Sequence, residues 1–560
     1  MFQVTITILS NKIPSEDELK NLAVRELSKK GISVKKEEIS AFVFRKKSLD
    51  ARHKTVKTHL RYDVYTKGGK PDSFEAGGKF IAPWKNLTKA ENCKEVVVVG
   101  AGPGGLFASL QLLEKGIKPI LIDRGPGTKQ RKIDIAKIST EGFLNDESNY
   151  CFGEGGAGTF SDGKLFTRSN KRGNIGKILA VLNFHGANEA ILTDAHPHIG
   201  TDKLPGIINN ICETIRNCGG EVKFSTKLVE ILVEKFGGKL KVCGIVVENS
   251  ITGEKSTIKA DSVILATGHS ATDVYELLYQ LEPKTLEAKT FAMGVRVEHP
   301  RELIDGIQYH GREKTMDLPP AEYRLTTQVE GRGVYSFCMC PGGLVVPSAS
   351  SKKGIVVNGM SPSSRKGKFS NAAIVVETTP EDCKMLTGND GVLAGLGLRT
   401  EIEEKAMKLV EKERVLDENE ANINLGKNPQ AAPAQRLVDF LEGRKSVSLP
   451  KSTYTPGLVS VDLNELFPTH IAARLKQGFL DFNKQMQGFI SYDAVLIAPE
   501  TRTSTPVRIL RDKESFESPL IEGLFPCGEG SGYAGGIVSS AMDGENVAKK
   551  VAEVLENHKS

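Results

Sequence analysis

The chain has 560 residues, of which 39% are apolar and 26% are charged. This composition is typical of a folded protein with several domains, and it excludes collagen-like, low-complexity and disordered chains. The net charge is +6, and the basic excess lies at the N-terminus, because residues 1–90 hold 19 basic and 10 acidic residues.

The first 66 residues predict a small βαββ module. Residues 2–9 alternate as a strand, residues 15–30 form an amphipathic helix with Ser15 and Glu18 as a capping box, and residues 39–49 and 56–66 are two further strands. A Gly/Pro-rich linker follows at Lys67–Lys79. The basic segment Arg45–Lys57 is compatible with binding RNA or phosphate, but it lacks the aromatic signature of RNA-binding sheets. We therefore expect this module to dock against the next domain and do not expect a nucleic-acid partner.

The next segment carries a glycine fingerprint for a dinucleotide. Residues 95–99 predict a buried strand, Gly104–Gly116 a helix and Lys118–Asp123 a second strand. Gly100-x-Gly102-x-x-Gly105 lies at the turn between the first strand and the helix. These glycines allow a tight turn, a close approach to a pyrophosphate and close helix–strand packing, and the helix N-terminus attracts phosphate charge. Asp123 is placed to accept hydrogen bonds from the adenosine ribose.

Strand patterns return after residue 220 and continue through the middle of the chain. Short strands are predicted at 228–233, 240–248, 256–260 and 262–266, and further strands at 291–297, 334–340, 354–358 and 372–377. Helices are predicted near 401–413, 434–442 and 471–486. Residues 521–551 repeat the order of strand, glycine loop and helix.

Four motifs of this sequence resemble flavoproteins with the glutathione reductase type of FAD fold. They are VVVVGAGPGG, LIDRG, SVILATG and LFPCGEGSGYAGG. The resemblance implies that the first glycine loop binds ADP, that the strand ending in ATG lies near FAD, and that Gly528-Glu529 takes the place of a Gly-Asp pair that binds the ribityl and phosphate groups.

Longer motifs resemble a narrower family of uncharacterised FAD-dependent dehydrogenases. They are GEGGAGTFSDGKL (153–165), ATGHSA (266–271), FCMCPGG (337–343), VVNGMS (356–361) and PCGEGSGYAGGIVSSAMDG (526–544). This resemblance covers nearly the whole chain and implies an FAD-dependent oxidoreductase, but it supplies no substrate.

These observations predict an α/β fold with four parts. Residues 1–90 form the N-terminal basic module and linker, 91–272 and 512–560 are two segments of a Rossmann-like FAD-binding domain, and 273–511 form an inserted α+β substrate domain. The residues expected to bind FAD are Gly100, Gly102, Pro103, Gly104, Gly105, Asp123, Arg124, Gly155, Gly156, Ala157, Gly158, Thr159, Lys164, Leu228, Val229, Thr267, Gly268, Gly528, Glu529, Gly535, Gly536 and Ile537.

Three side chains are candidates for catalysis: Lys164, Tyr533 and His269. Lys164 supplies a cation for the flavin or an anionic substrate, Tyr533 a ring or hydroxyl near the flavin, and His269 a proton. Cys338 and Cys340 are two residues apart, so a regular strand would place both sulfurs on one face, either as buried packing or as a redox pair.

The sequence contains no second glycine fingerprint after a strand and no Cys-x4-Cys pair after the first helix. We therefore expect FAD as the cofactor, a transient NAD(P)H donor at most, and no disulfide reductase. His196 and His198 lack partners at ligand spacing, so no metal is expected. Scattered cysteines and the lack of a membrane or leader pattern predict a cytoplasmic enzyme. We also expect this enzyme to act on a small molecule. Two alternatives stay open: an FAD-containing sensor whose basic module contacts RNA, and a flavin monooxygenase.

Overall fold

The computed structural model describes residues 1–9, 13–51, 56–66, 68–69, 80–88, 93–167, 172–311, 318–418 and 427–557. The predicted linker at 67–79 lies almost wholly outside the described residues, as do residues 52–55 of the basic segment. Within the described part of the chain, no helix combines the length and apolarity needed to cross a membrane.

The N-terminal module is an antiparallel sheet covered on one face by a helix. It contains β1 (Phe2–Ile8), α1 (Glu16–Lys29), β2 (Ile39–Asp50) and β3 (Lys57–Thr66), in the sheet order β1-β3-β2. The predicted capping box at Ser15 and Glu18 is present at the start of α1. Apolar side chains of α1 and one face of the sheet form a separate core, which includes Val4, Leu27 and Leu60.

The next segment builds most of a parallel sheet. Its elements are β4 (Glu95–Val99), α2 (Pro103–Lys115), β5 (Lys118–Ile122), α3 (Thr128–Glu141), α4 (Ile175–Phe184), α5 (Leu204–Asn217), β6 (Glu221–Lys223), β7 (Thr226–Phe236), β8 (Lys239–Asn249), β9 (Lys255–Lys259), β10 (Val263–Leu265) and α6 (Thr272–Leu281). Strands β4, β5, β6 and β10 are parallel, whereas β7, β8 and β9 pair as an antiparallel sheet beside them.

The middle segment forms a second, larger sheet with helices. Its elements are β11 (Leu286–Ala288), β12 (Phe291–Pro300), α7 (Arg301–Gln308), β13 (Thr326–Val329), β14 (Arg332–Cys340), β15 (Leu344–Pro347), β16 (Val357–Met360), β17 (Phe369–Thr378), α8 (Pro380–Thr387), α9 (Ala394–Glu418), β18 (Ala432–Arg436), α10 (Leu437–Glu442), β19 (Leu458–Ser460), α11 (Leu463–Leu466), α12 (Thr469–Gln485), β20 (Val495–Glu500) and β21 (Val507–Ile509). The seven-stranded sheet has the order β13-β14-β17-β12-β20-β18-β19.

The chain then returns to the parallel sheet. The last elements are β22 (Ile521–Glu522), β23 (Leu524–Pro526) and α13 (Ile537–Asn557). Strand β23 pairs in parallel with β10, which completes the order β23-β10-β4-β5-β6. The predicted α/β class, with a Rossmann-like sheet made from two segments around an inserted α+β part, is confirmed.

Two predicted elements were wrong in part. The strand expected at 354–358 runs instead from Val357 to Met360. The segment 434–442 was expected to be a helix throughout, but Ala432–Arg436 is a strand and the helix begins at Leu437. Ala434, Gln435 and Arg436 pair with β20, so the tertiary sheet overrides the helical periodicity. The glycines at 395 and 397 lie inside helix α9 and form no phosphate-binding turn.

The N-terminal module docks on the parallel-sheet domain through its edge strand. The Lys47 N–H donates to the Thr193 carbonyl at 2.9 Å, and the Ala195 N–H donates to the Lys47 carbonyl at 2.9 Å. The module contributes no strand to the parallel sheet. Since it also has its own core, it is expected to be separable from the rest of the chain.

Deletion of residues 1–66 should therefore leave the flavin spectrum intact. The remaining chain keeps every strand of the parallel sheet and loses only the contacts at the docked edge. Visible absorption and thermal melting of the truncated and full-length proteins check this expectation. Loss of the flavin on truncation would show that the module is part of the cofactor site.

Candidate active site

The carboxyl ends of four parallel strands meet at one cleft. Gly100 follows β4, Asp123 follows β5, Thr267 follows β10 and Gly528 follows β23, and all four residues line the same cleft. Ligands of open α/β sheets bind outside the carboxyl ends of the strands for this reason. The opposite wall comes from the seven-stranded sheet, through Cys338 and Glu500, and from the adjacent strand β16, through Asn358.

The glycine turn leaves open space at the N-terminus of α2. Gly102 is the N-cap residue and makes no side-chain cap, so the first N–H groups of α2 have no side-chain acceptor there. A Cβ atom on Gly102 would meet no described atom closer than the Gly156 Cα, at 3.9 Å. Phosphate oxygens bind well to such a helix end, so this half of the cleft fits the ADP part of FAD.

Asp123 is held rigidly beside this turn. Its Oδ2 accepts from the Ala101 N–H at 2.8 Å, and its Oδ1 accepts from the N–H groups of Gly125 and Gly153 at 2.9 and 3.0 Å. A carboxylate offers about four acceptor positions, so one remains for a ligand hydroxyl. Asp123 lines the cleft, as expected for a residue that binds a ribose.

The other half of the cleft lies at the N-terminus of α13. Gly528 and Gly536 have positive φ angles of 76° and 92°, and a Cβ on either would meet nothing within 4 Å. Gly536 directly precedes α13 and Ile537 is its first residue, and both line the cleft together with Glu529. This open backbone and the positive helix end suit the ring end of FAD, where negative charge collects on reduction.

His269 and Glu529 form a half-buried polar pair in this half, with 12% and 28% of their side chains exposed. The His269 Nε2–H donates to the Arg502 carbonyl at 2.9 Å, and Nδ1 lies 3.5 Å from Glu529 Oε1. Burial, helped by the charges of Arg399 and Arg502, lowers the pKa of His269 to about 3. The Nε2–H of the neutral imidazole is therefore engaged by the Arg502 carbonyl, and the proton-donor role of His269 stays a prediction. Burial raises the pKa of Glu529 to about 7.

Lys164 lines the cleft with 31% of its side chain exposed. Its Nζ is 3.9 Å from Asp162 Oδ2, but that oxygen accepts from Arg365 Nη2 at 2.7 Å. Arg365 is buried, not surface-solvated, and its Nη1 donates to Glu322 at 2.6 Å. Burial disfavours the charged ammonium of Lys164. The thiols of Cys338 and Cys340 and the carboxylates of Asp162 and Glu322 outweigh this effect and raise the pKa of Lys164. Lys164 therefore stays charged.

Arg296 organises the facing wall. Its Nε and Nη2 donate to the two carboxylate oxygens of Glu500 at 2.8 and 3.1 Å, and Nη1 donates to Asn371 at 2.8 Å. Nη2 also donates to Asn358, and Nη1 to the Cys338 carbonyl. Arg296 was not predicted as a site residue, although an arginine within the apolar run 291–297 is a signal of a buried ion pair.

Cys338 departs from the regular strand that its spacing predicts. Its φ is 45°, and the pairing of β14 with β17 shifts between Phe337 and Cys340. Cys338 lines the cleft, whereas Cys340 is fully buried. A hydrogen bond from the Cys340 thiol and the charges of Lys164 and Arg296 together lower the pKa of Cys338.

Most residues expected to bind FAD line the cleft. These are Gly100, Gly102, Pro103, Gly104, Asp123, Arg124, Gly156, Ala157, Gly158, Lys164, Leu228, Thr267, Gly268, Gly528, Glu529, Gly536 and Ile537. Five others are absent from the lining: Gly105, Gly155, Thr159, Val229 and Gly535. The catalytic candidate Tyr533 is also absent from the lining. The Tyr533 hydroxyl accepts from the Arg511 N–H at 3.1 Å and its ring packs on the Arg511 guanidinium, so this tyrosine has a packing role. No metal-ligating cluster of three or more His, Cys, Asp or Glu occurs in the part of the chain that the structure covers.

Ionisation of Glu529 should reduce the stability of the flavin-free protein. The pKa of Glu529 in the folded protein, about 7, lies above the ordinary value of 4.5. The neutral carboxylic acid therefore makes its full contribution to folding stability below pH 4.5, and this contribution is lost as the pH rises to about 7. We expect Glu529→Gln to melt progressively higher than the parent across this window. Parallel melting curves against pH measure the difference, and a difference independent of pH would contradict the assignment.

Two glycine substitutions should separate cofactor binding from folding. Gly102→Val should leave a folded protein that retains no FAD, because the side chain enters open space reserved for the pyrophosphate. Gly105→Ala should impair folding itself, because its Cβ would lie 1.9 Å from the Gly100 carbonyl oxygen. Absorption spectra and melting curves distinguish the two effects, with Gly397→Ala as a control, since nothing lies within 4 Å of its Cβ. A Gly102→Val protein that purifies with full FAD would refute the phosphate assignment.

Three family matches cover most of the chain. Residues 94–286 match the pyridine nucleotide-disulphide oxidoreductase family, and residues 290–503 match the family described as FAD-dependent protein, C-terminal domain-like. Residues 2–65 match a domain of unknown function. The first of these ranges contains the glycine turn and Asp123, and the second contains Cys338 and Glu500 of the facing wall.

Among full-length relatives, a Clostridium beijerinckii protein described as an uncharacterized protein is 39% identical over 98% of this chain and 99% of its own length. A probable fumarate reductase, Ifc3, of Shewanella frigidimarina is 28% identical over 31% of this chain and 32% of its own. A geranylgeranyl bacteriochlorophyll reductase-like structure from Thermoplasma acidophilum has a TM-score of 0.36 and 12% identity, over 83% of this chain and 80% of that one. The chain therefore belongs to a family of FAD-dependent oxidoreductases that join a pyridine nucleotide-disulphide oxidoreductase domain to an FAD-dependent C-terminal domain.

Proposed function

We propose that the protein is an FAD-dependent dehydrogenase whose small-molecule substrate binds between the flavin and the seven-stranded sheet. The observation that carries the proposal is the single cleft with glycine turns and helix N-termini on one wall and charged side chains on the other. When bound, FAD supplies hydride acceptance at its N5 atom. The chain itself supplies binding, orientation and charge.

Lys164 is proposed to hold the anionic group of the substrate or the reduced ring. The carboxylates around it are already neutralised, Asp162 by Arg365 and Glu500 by Arg296. The ammonium therefore adds positive charge to the cleft where hydride transfer places negative charge. A fixed charge of this kind stabilises the transition state without reorganisation.

The facing wall is proposed to orient the substrate. Arg296 locks Glu500 by a bidentate pair, and Arg502 is locked by Glu403 through Nη2 at 2.7 Å. Held side chains of this kind lose little entropy when the substrate binds. Cys338 lies in the same wall beside Lys164 and is a further candidate for moving a proton.

A nicotinamide donor is proposed to act transiently at the flavin face. The sequence carries one glycine fingerprint after a strand. We assign this fingerprint, together with Asp123, to the ADP half of FAD and not to a nicotinamide cofactor. The domains are proposed to divide as 1–90, 91–272, 273–511 and 512–560, with substrate chemistry at the boundary between the second and third.

Anaerobic reduction of the purified yellow protein tests this function. We expect NADH or NADPH to bleach the flavin and an organic acceptor to restore it. Lys164→Gln should reduce the rate of flavin reduction by about 100-fold, since a transition-state charge partner is lost. Lys203→Gln is the matched control, because that lysine is 66% exposed and should leave the rate unchanged.

The alternatives give different results in the same assay. A flavin that no donor reduces, together with salt-sensitive RNA binding, would support a sensor. Hydrogen peroxide release stimulated by an aromatic or lipid substrate would support a monooxygenase. Either result would contradict the dehydrogenase proposal.

A further inference from the structure

A second pocket lies between the N-terminal module and the parallel-sheet domain. It is lined by Thr5, Lys46, Ser48, His59, Arg61, Ala195 and His196. Two of these seven residues, Lys46 and Arg61, are cationic, and the imidazoles of His59 and His196 lie 3.7 and 3.1 Å from the carboxylates of Asp50 and Glu322. None of them lines the flavin cleft.

The pocket is built on the sheet face that does not contact α1. Thr5 and Lys46 both pair with Arg61, and Ser48 pairs with His59, so these side chains share one face of the sheet. A bulge between Phe44 and Lys46 changes the alternation of β2 at this point. Bulges redirect side chains and are frequent beside functional sites.

Like charges lie close together on this face of the sheet. Lys46 and Arg61 lie directly opposite each other, and like charges in that position destabilise a sheet. Asp63, an acidic neighbour on the same strand as Arg61, is already paired with Arg45 at 2.7 Å. Within the described residues no ion pair is recorded for Lys46 or Arg61. An anion between them would remove the conflict.

The far wall closes the pocket and is fixed in place. The two main-chain hydrogen bonds of Lys47 to residues 193 and 195 hold the 193–196 segment against the sheet. Hydroxyl groups of Thr5 and Ser48 add neutral donors, and the Thr7 hydroxyl orients the His59 ring through Nδ1 at 2.9 Å. Convergent cations and hydroxyls are the donor set that phosphate oxygens prefer.

We propose that this pocket binds the phosphate group of a small phosphorylated molecule. A nucleic acid fits less well, because single strands need exposed aromatic rings for stacking. The aromatic rings of β2 and β3 pack into the core instead, with Phe42 and Tyr62 stacked at 4.1 Å between ring centroids. The cations also converge on one pocket and do not form a stripe.

Calorimetric titration of the FAD-loaded full chain tests the proposal. The probes are inorganic phosphate, AMP and adenosine, with FAD filling the ADP site of the cleft. We expect phosphate and AMP to bind and to raise the melting temperature by mass action, and adenosine to do neither. Tighter binding of AMP than of inorganic phosphate identifies a phosphomonoester ligand; equal binding identifies free phosphate.

The double variant Lys46→Gln/Arg61→Gln should weaken phosphate binding by at least about tenfold, as expected for lost charge-assisted hydrogen bonds. Its melting temperature without ligand should not fall, since two like charges are removed. Lys20→Gln/Lys29→Gln removes the same charge from α1, where both lysines pair with glutamates, and should bind phosphate as the parent does. No binding of phosphate or AMP, equal loss in both variants, or binding of a single-stranded RNA in place of AMP would overturn the proposal.

Discussion

The parallel pairing of β4, β5, β10 and β23 is the constraint on which the site depends. Parallel strands end at one edge, so four chain segments, the first and last more than 400 residues apart, present their loop residues to the same space. The pairing continues into the loops, because the Gly100 N–H donates to the Ile122 carbonyl and the Ala266 N–H to the Val99 carbonyl, both at 2.8 Å. The glycine turn, Asp123 and the C-terminal glycines are therefore placed by backbone hydrogen bonds before any ligand is bound.

The second wall of the cleft is fixed by buried ion pairs. Arg296 with Glu500, Arg502 with Glu403 and Arg365 with Asp162 each bury both partners. Such pairs add little net stability, because desolvation offsets their attraction. Their consequence here is geometric: they hold carboxylates and guanidinium groups at the cleft and neutralise them, which leaves Lys164 as a cation beside them. The same chain of pairs continues from Arg365 through Glu322 to His196, at the rim of the phosphate pocket.

Local patterns were sufficient to predict the cofactor half of the site, and distant contacts were not. The turn at Gly100, the acid at Asp123 and the final helix were predicted because the sequence pattern that indicates each of them spans only about 20 residues. Arg296 and Glu500 were missed because their pairing joins strands that are 204 residues apart. The prediction that Cys338 lies in a regular strand was wrong because the backbone is irregular at that residue. The stacking of Tyr533 on Arg511 was not predicted because it is a tertiary contact. The strand at 432–436 likewise owes its form to β20.

The central claim is that this chain binds FAD, with its phosphates at α2 and its ring at α13. The most direct measurement is the identity and amount of cofactor released when the purified, folded protein is denatured, determined by mass spectrometry and absorbance. The account predicts FAD at one molecule per chain. A folded protein that releases no flavin after incubation with FAD, or that releases only FMN, would contradict it.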